Sequence, residues 1–379
     1  MTGQLPLLED LLPLEGKRVL VRVDFNVPIV EDPDGTRRVG DDFRIRAALA
    51  TFEFLLAHGA SVTACTHLGR PDGKVDERYS VAPVAARLAE LAPEVALMEN
   101  LRFEPGEEAN DPAFVMRLVD GFDCFVNDAF GVSHRAHASV VGVPAHLPSA
   151  AGRLLAREAE VLGHLLEHPK RPFVAVVGGA KVADKLGVVH ALAAKVDVLI
   201  IGGGMAYTFL ASLGHEIGSS LYDPARREEC QEVLASGATV LLPEDCVALA
   251  HDPERVGHFG QDIPEGFCGL DIGPKSAARF AEAIASAATV LWNGPMGVFE
   301  DPRFASGTRF VAEAVAACPG FSVAGGGDSV AAIDEWGLAG AIDHLSTGGG
   351  ASLEMIEFGD LPGLAALRDA ARRVGATRT

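Results

Sequence analysis

The sequence predicts an α/β chain of two doubly wound parallel-sheet lobes joined by a hinge helix. Three observations predict it. Short apolar, β-branched segments alternate with segments of helical spacing along the whole chain, and the turns at strand ends are rich in glycine. The length of 379 residues, 48% of them hydrophobic, exceeds what one core of this kind usually holds. A formal charge of −20 argues against nucleic-acid and anionic-membrane partners, so an anion site must be a local basic pocket in an acidic shell. Cys65, Cys124, Cys230, Cys246, Cys268 and Cys318 form no Cys-x-x-Cys pair, which fits reduced thiols and a cytoplasmic location. Glu9 and Asp10 stand where a signal peptide carries basic residues. The uncharged stretch 198–214 is broken by Gly202-Gly203-Gly204, so neither a leader nor a membrane span is expected.

Residues 17–28, KRVLVRVDFNVP, alternate like a strand and end in a polar turn, delivering Arg22, Asp24 and Asn26 near one strand end. Asp41-Asp42-Phe43-Arg44 opens a helix running to about His58. A strand over 60–66 leads into His67-Leu68-Gly69-Arg70-Pro71. Strands over 95–98 and 124–126 end at Glu99-Asn100-Leu101-Arg102-Phe103 and at Asn127-Asp128-Ala129-Phe130-Gly131, the latter followed by Ser133-His134-Arg135-Ala136-His137. In an open parallel sheet the ligand crevice lies outside the carboxyl ends of the strands. Arg22, Arg44, Arg70, Arg102 and Arg135, with His67, are therefore expected to converge on a small ligand bearing phosphate and carboxylate, both of which guanidinium binds in a bidentate way. Each arginine taken singly reads as a surface ion pair, and His134 and His137 read either as loop or core residues, the favoured reading, or as phosphate ligands or phospho-acceptors.

Residues 147–168 have helical periodicity and stop at Pro169, which makes them a connecting helix between a lobe of residues 1–168 and one of 169–361. Residues 173–187, FVAVVGGAKVADKLG, read as a buried strand, a glycine turn and a helix start, with Lys181 and Lys185 in its first two turns. Like charges one turn apart at the positive end of a helix are unfavourable by a few tenths of a kcal/mol each, and a bound polyanion reverses both signs. The Walker spacing is absent. Strands over 197–201, 238–242, 288–292 and 321–324 alternate with helices such as 274–286 and 307–317. Glycine-rich strings follow them: GGGMAYTF from Gly202, WNGPMGVFE from Trp292, GGGDS from Gly325 and STGGGASLE from Ser346. Asp328 stands where it either holds Mg²⁺ on nucleotide phosphates or caps a helix; Glu300 either meets a ribose or lies in a loop.

The strings VDFNVP, HLGRPDG, ENLRF, NDAFGVSHRAH, GGAKVADK, IGGGMAYTF, WNGPMGVFE, GGGDS and STGGGASLE, in this order over essentially the whole chain, resemble the phosphoglycerate kinase family. The resemblance implies two Rossmann-like lobes. The first would bind 3-phosphoglycerate or 1,3-bisphosphoglycerate and the second Mg-ADP or Mg-ATP, with the segment from about 362 to 379 packed back on the first. It implies a substrate site of Asp24, Phe25, Asn26, Arg44, His67, Leu68, Gly69, Arg70, Arg102 and Arg135. The implied nucleotide site is Gly179, Lys181, Lys185, Gly203, Gly204, Asn293, Glu300, Gly326, Gly327, Asp328 and Ser329, with Asp328 as the magnesium ligand. Arg44, Lys181 and Lys185 would act in the transfer, and the enzyme would be a monomer that bends at its hinge. Ser329 stands where threonine is common and keeps the hydroxyl. A noncatalytic nucleotide-binding scaffold or sensor on the same fold is the alternative, but it would be expected to have lost Lys181, Arg44 or Asp328.

Overall fold

The computed structural model describes residues 4–252 and 254–377. The chain falls into two compact units: one runs through Glu160 and resumes at Asp360, and the other is Val161–Gly359. This division lies inside the helix Arg153–Glu167, earlier than the 168/169 boundary read from Pro169. No helix among the described residues is long and apolar enough to cross a membrane.

The first unit is built on five parallel strands, ordered Ala96–Leu97, Ser61–Cys65, Arg18–Arg22, Cys124–Asn127 and Ser149–Ala151. Val19, Leu20 and Val21 are fully buried, as expected of a central strand covered on both faces. Chain order reverses between Arg18–Arg22 and Cys124–Asn127, and Arg22 stands level with Cys65 on one side and Asn127 on the other. The helix Pro362–Thr377 belongs to this unit: Gly363 N donates to Ser133 O at 2.8 Å, and Arg373 Nη2 to Pro144 O at 2.7 Å.

The second unit carries six parallel strands, ordered Thr239–Leu241, Val198–Ile201, Phe173–Val177, Thr289–Asn293, Phe321–Gly325 and His344–Leu345. The reversal falls between Phe173–Val177 and Thr289–Asn293. Trp292, Phe280 and Val290 fill its core, separate from the core around Phe25, Phe52 and Val21 in the first unit. Both main sheets are therefore doubly wound, and each has one switch point where a crevice opens.

Several expectations are corrected. Residues 147–152 are not helical: Ser149–Ala151 is an edge strand paired with Phe125–Asn127, because its small side chains fit against the sheet and Gly152 backs directly on Asp128. The helix expected over 41–58 is broken at Ala48 into Phe43–Ala47 and Leu49–Ala57. An antiparallel sheet of Cys246–His251, Glu254–Phe259 and Phe267–Ile272, inserted in sequence between the strands Thr239–Leu241 and Thr289–Asn293, was not expected.

Asp271 on that added sheet is buried. It accepts from Gly307 N at 2.7 Å, at the start of the helix Ser306–Ala316, and from Ile272 N at 2.9 Å. Burial pushes its carboxyl up to about 7, against the pull of those two amides. Its folded pKa lies above the unfolded value of about 3.9, so the stability it contributes is full below about pH 4 and lost as pH rises through about 7. In Asp271→Asn this contribution is absent. The melting-temperature gap, wild type minus variant, is expected to narrow by on the order of 5 °C between pH 4 and pH 8 in thermal melts. A constant gap would mean that the carboxyl titrates normally.

Candidate active site

At the switch point of the first unit the strand Arg18–Arg22 ends in Arg22, whose side chain is fully buried. Its Nε donates to Ser139 Oγ at 2.8 Å, its Nη1 to Val23 O, and its Nη2 lies 3.3 Å from His67 Nδ1. Asp24 follows. Its Oδ2 accepts from Arg44 Nη1 at 2.8 Å, and its Oδ1 lies 3.8 Å from His67 Nδ1. Arg44 sits in the short helix Phe43–Ala47, which carries it back over the strand end.

The loop after Ser61–Cys65 is held from three sides. Gly69 N donates to Asn26 Oδ1 at 2.9 Å, Arg102 Nη1 donates to Gly69 O at 2.8 Å, and Asn100 bonds both backbone groups of Leu68. Gly69 has φ +61°, and a Cβ there would lie 2.3 Å from the Tyr79 ring, so only glycine closes this turn. Asp24, Asn26, Arg44, His67, Leu68, Gly69 and Arg102 are thus joined in one network. Phe25 is placed differently. Its side chain is fully buried edge-on to Phe52, and its N–H donates to Thr66 Oγ1 at 2.9 Å, so its side chain belongs to the core. Arg70 and Arg135 are exposed and make no ion pair among the described residues.

The electrostatics of this cluster are those of an anion site. Burial, then Arg22, Arg102 and Arg44, pushes His67 well below its ordinary value. His134 and His137 fall to about 4, chiefly by burial, with Arg135 and Arg102 as the leading charges respectively. The Nδ1 atoms of His134 and His137 are buried without a hydrogen-bond partner. Three imidazoles therefore stay neutral in an excess of fixed positive charge, a field that an incoming anion neutralises.

In the second unit, the two strands flanking the reversal are clasped by one ammonium group. Lys185 Nζ donates to Gly178 O at 2.7 Å, Asn293 Oδ1 at 2.7 Å and Asn293 O at 3.3 Å. The structure corrects the placement of the lysines. The helix begins only at Leu186, Lys185 stands at its N-cap, and Lys181 lies in the preceding turn, exposed and unpaired among the described residues. The reason is partly tertiary: Gly178 O and the distant Asn293 capture the Lys185 ammonium, and Lys185 N closes a turn onto Val182 O. Burial lowers the Lys185 pKa to about 8, opposed by Asp328 and Asp184.

Gly203 and Gly204 pass so close to Gly179 and Ala180 that a methyl on either would overlap backbone. Gly179 N donates to Pro295 O at 2.9 Å, and Ser329 Oγ accepts from Gly294 N at 2.6 Å. Gly294, with φ +99°, would place a Cβ 2.3 Å from Gly178 O and 2.5 Å from Lys185 Nζ. Gly326, the N-cap of Gly327–Glu335, packs against the Asn293 amide, and Asp328 follows exposed in the first turn. Glu300 and Gly327 are exposed, and Glu300 forms no hydrogen bond or ion pair within the cluster. No three His, Cys, Asp or Glu side chains gather as a metal cage among the described residues. Asp328 therefore contributes a lone carboxylate, a donor suited to a cation such as Mg²⁺ that keeps its waters and takes its other ligands from phosphate.

Sequence reasoning missed Asn100, Thr66, Ser139 and Glu107. Asn100 lies inside the strand-end motif 99–103 and Thr66 ends the expected strand 60–66, so both were within reach. Ser139 and Glu107 carry no periodic or motif signal, and only the fold brings Ser139 to Arg22 and Glu107 to Ser139.

The chain matches the family model described as phosphoglycerate kinase over residues 8–96 and 90–358. It is 50% identical over 390 residues to the phosphoglycerate kinase of Moorella thermoacetica, covering 94% of this chain and 98% of the relative. To that of Chloroflexus aurantiacus it is 49% identical, covering 94% and 97%. The solved phosphoglycerate kinase of Coxiella burnetii superposes with a TM-score of 0.87 at 36% identity over 97% of this chain and 99% of that one. That of Pyrococcus horikoshii superposes at 0.83 with 30% identity over the same shares. Similarity this extensive in sequence and in backbone leaves one conclusion: the chain belongs to the phosphoglycerate kinase family of phosphotransferases.

Proposed function

We propose that the chain transfers the acyl phosphate of 1,3-bisphosphoglycerate to Mg-ADP, reversibly, giving 3-phosphoglycerate and ATP. The cluster around Arg22, Asp24, Arg44, His67 and Arg102 takes the phosphoglycerate, assisted by Arg70 and Arg135. The cluster around Lys185, Asn293 and the 203–204 and 326–329 loops takes the nucleotide. The observation that carries this reading is the convergence of Arg22, Arg44 and Arg102 on Asp24, His67 and the Gly69 turn at the first switch point.

The transferring phosphoryl group concentrates negative charge on its equatorial oxygens, so positioned cations and backbone N–H groups supply most of the catalysis. Arg44, Lys181 and Lys185 are the cations assigned to it, and no covalent enzyme intermediate is needed. Asp328 would hold Mg²⁺, whose charge offsets that of the nucleotide phosphates. Because donor and acceptor bind to different units, transfer requires hinge closure, which also keeps water from the acyl phosphate. Six free thiols support a cytoplasmic enzyme, and the monomeric state rests on the resemblance.

The test is a coupled assay of Mg-ATP consumption with 3-phosphoglycerate, beside glycerate, acetate and a no-acceptor control. Turnover with 3-phosphoglycerate alone is expected. Tight nucleotide binding without turnover would instead favour the noncatalytic sensor.

A further inference from the structure

Behind the first-unit cluster runs a buried chain of polar groups that reaches His67 from the far side of the sheet end. Glu107, fully buried at the end of the short helix Pro105–Glu108, accepts from Ser139 N at 3.0 Å through Oε2 and from the Ser139 hydroxyl at 2.5 Å through Oε1. Ser139 lies in the single π-helical turn Ala138–Gly142, a backbone irregularity that often marks functional positions. Its Oγ accepts from Arg22 Nε at 2.8 Å, and Arg22 Nη2 reaches His67 Nδ1 at 3.3 Å. Arg22, Glu107, Ser139 and His67 are all nine-tenths or more buried.

The direction of every bond in this chain is forced by the chemistry of its ends. The Ser139 hydroxyl donates to Glu107 Oε1, so its lone pairs face Arg22 Nε. A guanidinium only donates, so His67 Nδ1 must be an acceptor. A neutral imidazole that accepts at Nδ1 carries its proton on Nε2. The neighbouring Asp24 Oδ1, 3.8 Å from Nδ1, is too distant to draw that proton back, and burial among arginines keeps the ring neutral. Arg22 is held in plane by the same chain, since losing the Ser139 acceptor leaves a fully buried Nε–H without a partner.

We propose that Ser139 and Glu107 are positioning residues which, through Arg22, fix His67 as the Nε2–H tautomer and so present a neutral hydrogen-bond donor to the phosphoglycerate. The assignment of the ligand rests on the function proposed above; the tautomer does not.

The experiment is a ¹⁵N long-range correlation spectrum of the histidine side chains in the full-length protein, with and without 3-phosphoglycerate, for wild type, Ser139→Ala and Ser139→Cys. Cysteine fills the site with a somewhat larger atom and weakens the acceptor, so it covers the case in which the cavity left by alanine prevents folding. Wild type is expected to show His67 with an unprotonated Nδ1 and a protonated Nε2. The variants are expected to lose this single-tautomer pattern and to raise the Michaelis constant for 3-phosphoglycerate about tenfold with that for ATP unchanged. A merely structural serine would move both constants or neither. An unaltered His67 pattern in the folded variants overturns the relay. A wild-type His67 whose resonances ignore 3-phosphoglycerate overturns the ligand assignment while leaving the tautomer standing.

Discussion

Lys185→Met is expected to lower kcat by about a hundred- to a thousandfold and to lower the melting temperature as well. The side chain does two things at once. Its ammonium satisfies Gly178 O, Asn293 O and Asn293 Oδ1, tying the two strands that flank the switch point. It also places a positive charge in the proposed path of the phosphoryl group, where loss of one preorganised donor costs about that much in rate. Methionine keeps the stem and leaves Gly178 O and Asn293 Oδ1 without their donor, while Asn293 O keeps its bond from Gly178 N.

The pH dependence separates the two roles. Burial brings the Lys185 pKa down to about 8, so kcat/KM for the nucleotide, which reports the free enzyme, is expected to fall as pH rises through about 8. Lys185→Arg keeps its charge and should remove that fall even if it turns over more slowly. The stability sign runs the other way. The folded pKa lies below the unfolded value of about 10.4, so folding favours the neutral amine, and the penalty is full below about pH 8 and fades as pH rises from about 8 to about 10.4. A pH profile identical in Lys185→Arg and wild type would sink the assignment of this group as the transferring cation.

Arg44→Ala is expected to cost about a thousandfold in turnover, within the range of an arginine that stabilises phosphoryl transfer, with nucleotide affinity unchanged by calorimetry. Arg44 is one-third exposed while its partner Asp24 is only 10% exposed, so the guanidinium both reaches toward solvent and neutralises a nearly buried carboxylate. Without it, Asp24 Oδ2 loses its 2.8 Å donor, and the adjacent His67 Nδ1 cannot replace it because that atom is itself an acceptor. Arg44→Lys should recover only part of the rate, since a point charge does not reproduce the bidentate fork. An equal loss of nucleotide affinity in Arg44→Ala would refute its placement on the substrate side.

What the sequence by itself determined was the layout. Runs such as Phe173–Val177 and Val198–Ile201 are apolar throughout because a central parallel strand is covered on both faces, and that signal is local. Strand-end strings carrying Asp24, His67, Arg102, Lys185 and Asp328 were legible for the same reason: a turn that must approach a ligand needs glycine and short polar groups in a fixed order. Elements whose identity depends on a distant partner were not legible. Ser149–Ala151 is a strand only because Phe125–Asn127 offers it an edge, and the sheet of Cys246–His251, Glu254–Phe259 and Phe267–Ile272 has no pattern apart from its own cross-strand pairing. Helical spacing around Lys181 and Lys185 was real, yet Gly178 O and Asn293, the latter 108 residues beyond Lys185 in sequence, outcompeted the helix for the Lys185 turn. Only the tertiary structure decided that Phe25 faces the core, that Ser139 reaches Arg22 and that Glu107 reaches Ser139. A buried charge must find its counter-charge and acceptors wherever the fold supplies them, and sequence spacing does not record where that is.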